Sequence, residues 1–221
     1  LIVSIIGFGL SLEVWNRFDA TIGGMQMVER WSWITDYGVN YYVGIDGISL
    51  FLVVLTAFLL PVILVASWTE ITTRVKHYIF FMLALQTGML GAFLSLNLFL
   101  FYVFWEAMLI PMYFVIGMWG GPRRIYATVK FFIYTMVGSL LMLVGILVLV
   151  YLHYHQFPGD PITFDYIGFG GAGRNTAIVR AKLPPGYSVR ISGQFEARES
   201  AARVVALLSV VSLAVMFLII F

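Results

Sequence analysis

Residues 91–114 read GAFLSLNLFLFYVFWEAMLIPMYF. They sit inside an apolar stretch from Tyr78 to Trp119 that is too long for one membrane-crossing helix, which needs about 20 residues. Ser95–Asn97 is the polar interruption at which that stretch divides, so the reading is a tight helical hairpin with one span near 78–96 and the next near 98–119. The second of these spans carries a carboxylate, Glu106, near its middle.

Working outward, further apolar runs of spanning length lie near 48–68 and 126–152, with partial runs near 1–12 and at the far end of the chain. Together they predict an all-α integral membrane bundle of six transmembrane helices, the outer two incomplete. The composition agrees, because 61% hydrophobic and 11% charged residues are far from a soluble balance. The net charge of +2 is too small and dispersed to suggest nucleic acid. With no cysteine the chain has neither disulfides nor thiolate ligands for iron-sulfur clusters, so any redox chemistry must be performed by something else. The chain opens on Leu1, in an apolar run without the basic start and cleavage site of a signal peptide, and is expected to be a fragment.

Sidedness follows from the short loops. Arg74 and Lys76 lie in one, Arg123 and Arg124 in another, and the span count puts both at the same face, which should be cytoplasmic. The opposite face receives the loop from Glu13 to Asp46, with five acidic residues against two basic ones. Its aromatics Trp31, Trp33, Tyr37, Tyr41 and Tyr42 suit a membrane interface. The long stretch Pro158–Ser200 falls on that outer side despite Arg174, Arg180, Lys182, Arg190 and Arg198, since long loops follow the charge rule weakly.

An ionised carboxylate at a helix centre costs on the order of 3 kcal/mol, so Glu106 is expected to face a bundle interior or a water-filled cavity and to have a partner. Burial favours the neutral acid, and a change in a neighbouring charge can then load or release its proton, as a relay requires. The bland alternative is a structural carboxyl between helices. Five residues on, Pro111 has no amide hydrogen to donate and frees the carbonyl of Ala107, beside Glu106. That serves either to hydrate the carboxylate or as an ordinary packing kink. Lys130 is the lysine inside a predicted span, but its depth is wrong for pairing. Glu106 lies roughly 20 Å from the Trp119 end of its helix, whereas Lys130 is about 9 Å in from Arg124. Snorkelling to the surface and a place in a proton path both remain open for it. Asp46, in GIDGIS, is placed to cap the following helix. His153 and His155 point to different faces of a helix at a membrane boundary and read as interfacial, not as a metal or haem site. Gly88 and Gly91 allow close helix packing.

The stretches GIDGISLFLVVLTAFLLPVILVASW (44–68), FLFYVFWEAMLIPMYFVIGMWGG (99–121) and ATVKFFIYTMVGSLLMLVGILVLVY (127–151) closely resemble the antiporter-like subunit M family of proton-pumping NADH:quinone oxidoreductase, respiratory complex I. The resemblance covers 1–165 as one antiporter-like membrane domain. It implies that Glu106 is the central proton-site carboxylate of the first half-channel, paired with a lysine two helices further along, and that Lys130 is at most a helper. It also implies membrane-arm partner subunits, a bacterial inner membrane, and no cofactor in this chain, with flavin, iron-sulfur clusters and quinone in partner subunits. The family pattern should continue with the partner lysine, an HTWLPDAH-like motif and an inverted second repeat. None follows, so the expectation is the truncated first half of such a subunit.

Instead, LPPGYSVRISGQFEARESAARVVALLSVVSLAVMFLIIF (183–221) resembles heavy-metal efflux pumps of the resistance-nodulation-division family, where such elements lead from a periplasmic domain into a transmembrane helix. Residues 166–182 then form a junction, and the chain reads as a chimera. None of the efflux pumps' metal-binding or proton-relay residues can be placed here. The functional expectation is a proton-translocating membrane-arm subunit of complex I. The rivals are a subunit of a multi-subunit sodium/proton antiporter, which shares the architecture and the intramembrane Glu, and a fragment that inserts but transports nothing.

Overall fold

The computed structural model describes residues 1–21, 24–156 and 162–166. Among these residues six α-helices and one two-stranded sheet are formed: α1 (Ile2–Arg17), β1 (Gln26–Ile34), β2 (Val39–Ile45), α2 (Gly47–Ala66), α3 (Val75–Leu94), α4 (Leu98–Ala107), α5 (Leu109–Trp119) and α6 (Arg124–Gln156). Four helical stretches among the described residues are long and apolar enough to cross a membrane: Gly47–Ala66, Val75–Leu94, Leu98–Trp119 and Arg124–His155. Helix α1, with 16 residues, falls short of that length. The junction beyond Tyr166, the efflux-like stretch 183–221 and the sixth helix expected there lie outside the described residues.

Successive spans pack antiparallel, with α4 and α5 forming one span between them. Phe8 and Trp15 of α1 meet Phe58 and Phe51 of α2, with ring centroids 5.5 and 5.0 Å apart. Leu60 and Leu64 of α2 share a core with Tyr78 and Met82 of α3. Helix α3 then stacks Phe81 on Phe114 and sets Tyr78 against Trp119 of α5. Apolar side chains gain little by leaving lipid for protein, so such bundles depend on close packing, and small residues permit it. A Cβ at Gly88 would stand 2.6 Å from Cγ of Met108, and one at Gly91 would collide with the Phe104 ring. The two glycines therefore seat α4 on α3.

The helical bundle carries one further element that the sequence reading left as loop. The predicted loop from Glu13 to Asp46 contains an antiparallel hairpin, with Glu29 opposite Val43, Trp31 opposite Tyr41 and Ile34 opposite Val39. Its aromatic and β-branched residues, read from the sequence only as an interfacial belt, are those that suit a pleated surface. Gly38 makes the turn with φ +63°, and a side chain there would collide with the carbonyl oxygen of Ile162. The hairpin is bonded to the bundle: the Leu96 amide donates to the Tyr42 carbonyl (2.8 Å), and the Tyr166 amide donates to the Leu96 carbonyl (2.7 Å).

The bundle consequently has two unlike ends. One holds the hairpin, the Ser95–Asn97 corner and residues 162–166. The other holds the loops on either side of Arg74 and Arg123, joined where the Trp119 indole donates to the Thr73 carbonyl at 2.9 Å. At the first end Asp46 caps α2, accepting from the Ser49 amide at 2.7 Å while the Ser49 hydroxyl accepts from the Asp46 amide at 2.8 Å.

Candidate functional site

Glu106 lies in the last turn of α4, about 12 Å along the helix axis from its start at Leu98. The helical span does not run on unbroken. Helix α4 ends at Ala107, Met108 forms a turn, and α5 begins at Leu109. The cause is local, because buried Pro111 supplies no amide for the Ala107 carbonyl, while the Met108 amide still donates to Phe104 (3.2 Å) and the Met112 amide to Met108 (3.3 Å). The ladder therefore loses one rung beside the carboxylate.

The carboxylate oxygen Oε1 of Glu106 is buried and, among the described residues, has no hydrogen-bond partner. Tyr102, one turn earlier on α4, shares the helix face of Glu106, and its ring packs on the cluster that contains Ile146 and Val150 of α6. Ser139 is buried, and its own hydroxyl donates to the Met136 carbonyl at 3.0 Å. An acidic oxygen held out of solvent without a fixed partner is an expensive arrangement for a purely structural group.

Lys130 does not join this group. Its ammonium lies between the rings of Tyr126 and Tyr134, 5.6 and 5.8 Å from their centroids, and makes no ion pair with Glu106. Half-buried, it is stabilised by cation–π attraction to two rings of its own helix. The two boundary histidines separate as their spacing requires, His153 buried and His155 exposed.

A second polar cluster escaped the sequence reading. At the hairpin end, Asp165 is 4% exposed and Asn97 wholly buried. Asp165 accepts from Asn97 Nδ2 at 2.7 Å, from Asn40 Nδ2 at 3.0 Å and from the Arg30 guanidinium at 2.7 Å. Asn97 Oδ1 in turn accepts the Leu100 amide at 3.1 Å and so caps α4. The Arg30 guanidinium also lies 5.4 Å from the Tyr42 ring centroid. One carboxylate thus ties β1, β2, the α3–α4 corner and the segment after α6 together. The sequence signal was slight: a lone asparagine ahead of an apolar run, and an aspartate within Phe164–Tyr166.

Two family models match the chain. Residues 20–92 match the amino terminus of NADH-ubiquinone oxidoreductase chain 4, and residues 95–157 match the transmembrane family of NADH:quinone oxidoreductase and Mrp antiporters. The site lies within the second. Residues 20–92 and 95–157 are thus similar to subunits of this antiporter-like kind. The NADH-quinone oxidoreductase subunit M of Rickettsia typhi is 42% identical over 157 residues, which are 71% of this chain and 32% of that protein. Among solved structures, respiratory complex I from Thermus thermophilus with bound NADH matches with a TM-score of 0.60 and 30% identity, over 73% of this chain and 32% of that one. The Mrp complex from Dietzia matches with a TM-score of 0.56 and 19% identity, over 81% of this chain and 32% of that one, a likeness of fold alone. The chain spans about a third of the length of the curated relatives it matches. Its antiporter-like region is a membrane protein built on the helical plan of those complexes.

Proposed function

We propose that residues 1–165 serve as part of a proton-translocating membrane-arm subunit of NADH:quinone oxidoreductase, with Glu106 as the intramembrane carboxyl that carries the proton. The observation that supports this most directly is the buried Glu106 Oε1 without a hydrogen-bond partner, set beside a helix break in mid-span. Electron transfer then belongs to partner subunits with flavin, iron-sulfur clusters and quinone, because this chain has no cysteine to ligate a cluster. The other membrane-arm subunits are its partners and the bacterial inner membrane its location, with the Arg74 and Arg123 loops facing the cytoplasm. Lys130, caged by Tyr126 and Tyr134, is a helper at most.

In a complete homologous subunit, replacing the carboxylate equivalent to Glu106 by Gln is expected to reduce NADH-driven proton pumping sharply. Parental pumping together with parental quinone reduction in that variant would overturn the assignment. A sodium/proton antiporter subunit is the alternative supported by the Mrp likeness. Ion gradients measured with and without NADH separate the two, since transport coupled to a redox reaction requires the donor. Residues 183–221, with their Leu-Pro-Pro-Gly-Tyr start, we infer to be of separate, efflux-pump-like descent, joined through 166–182. DNA reads across the codons for Asp165 to Leu183 test that junction: continuous reads establish a fused chain, and their absence removes it.

A further inference from the structure

Asn97 opens α4 with no exposed surface. Ser, Thr or Asp would cap a helix as well, and the positive N-terminal end of a helix favours the acid. An amide has a second use here, because its Nδ2 donates to Asp165 at 2.7 Å while its Oδ1 accepts the Leu100 amide at 3.1 Å. The backbone joins the same two segments. The Leu98 amide donates to the Phe164 carbonyl at 2.8 Å, and the Tyr166 amide to the Leu96 carbonyl at 2.7 Å. Asp165 is anchored in turn by Arg30 of β1 and Asn40 of β2, at 2.7 and 3.0 Å. The start of α4 is therefore pinned, whereas just beyond Glu106 the Ala107 carbonyl lacks its usual donor, since Pro111 has no amide. Glu106 lies nine residues past Asn97, roughly 13 Å along the helix axis.

We propose that Asn97 and Asp165 are positioning residues for Glu106: the amide–carboxylate pair at the start of α4 sets where the carboxyl at its far end lies. Helix α4 is a short lever that rests on α3 where Phe104 meets Gly91. With the pair intact, Glu106 Oε1 is held in its buried place. With the pair cut, α4 tilts on its glycine seat and brings the carboxyl out toward lipid. Both residues act through the helix, at a distance from the carboxyl itself. The functional weight of this placement rests on Glu106 being the proton-carrying group.

The test is the rate at which dicyclohexylcarbodiimide, a lipid-soluble reagent for protonated carboxyl groups, modifies Glu106 of the full chain in lipid nanodiscs at neutral pH, read at that residue by tandem mass spectrometry. Asn97→Ser still caps α4 but is too short to reach Asp165, and it is expected to raise the rate several-fold. Exchanging the pair, Asn97→Asp with Asp165→Asn, restores one carboxylate and one amide and is expected to keep the parental rate. Phe8→Ala, which loosens the α1–α2 contact, controls for general destabilisation and should leave the rate unchanged. Should Asn97→Ser fail to fold, Asn97→Asp alone decides, because it keeps the cap and sets two carboxylates against each other. Parental labelling in the variant that decides, fast labelling in the exchanged pair, or equally fast labelling in Phe8→Ala would overturn the proposal. Each of these leaves the proton-site reading standing, because pumping by the Gln variant of the complete subunit tests it separately.

Discussion

Asp165 shows how much one residue can carry. Its carboxylate receives three side-chain donors from three different parts of the chain while itself almost fully buried. Removing one member of a buried pair strands its partners, at a cost of about 3 kcal/mol, whereas a half-exposed partner is worth under about 1 kcal/mol. The Arg30 side chain is 51% exposed. Asp165→Ala is therefore expected to lower thermal stability in detergent much more than Arg30→Gln. Equal losses would show that the two asparagine contacts contribute nothing. Asp46 makes a pH-dependent prediction. The amide hydrogen bond from Ser49 holds its carboxyl below the ordinary value of 3.8, against a smaller upward push from partial burial. Its contribution is thus complete above that value. It fades as pH falls further, because the unfolded chain takes up the proton first. Asp46→Ala should flatten this acid limb of the stability curve and cost about 1 kcal/mol at neutral pH, measured by thermal unfolding.

At the scale of the element, local chemistry was readable where it acts through the backbone. Pro111 and the Asp46 cap were both legible in the sequence, since a missing amide and a capping carboxylate work on their immediate neighbours. The hairpin was not recognised, because a loop rich in Trp and Tyr serves equally as an interfacial belt, and its turn depends on Gly38 meeting Ile162 from a distant segment. The α3–α4 contact can be tested through its glycines. Gly91→Leu would press into the Phe104 ring, and such overpacking costs roughly 1–3 kcal/mol. Gly7→Ala, which meets nothing within 4 Å, should change stability by less than about 0.5 kcal/mol. Comparable thermal shifts in the two variants would mean that the glycine seat does not hold the helices.

For the whole molecule, the two unlike ends predict a sidedness. The cationic loops around Arg74 and Arg123 meet at one end, and the hairpin closes the other. The absence of cysteine makes a clean experiment available. A single cysteine at exposed Thr72 should react with an impermeant thiol reagent only from the cytoplasmic side, and one at exposed Ser32 only from the outside. Labelling of both from the same side would invert or discard the topology.

The sequence by itself determined the membrane class, the placement of four spanning stretches, the isolation of Glu106 in apolar surroundings and the mismatch in depth between Glu106 and Lys130. These follow from hydropathy and from the fixed rise of a helix, which are properties of consecutive residues. Only the tertiary structure decided which polar groups meet. Arg30, Asn40, Asn97 and Asp165 converge from segments as much as 135 positions apart. Such meetings depend on how helices, strands and corners pack against one another, and no local pattern of residues encodes that geometry.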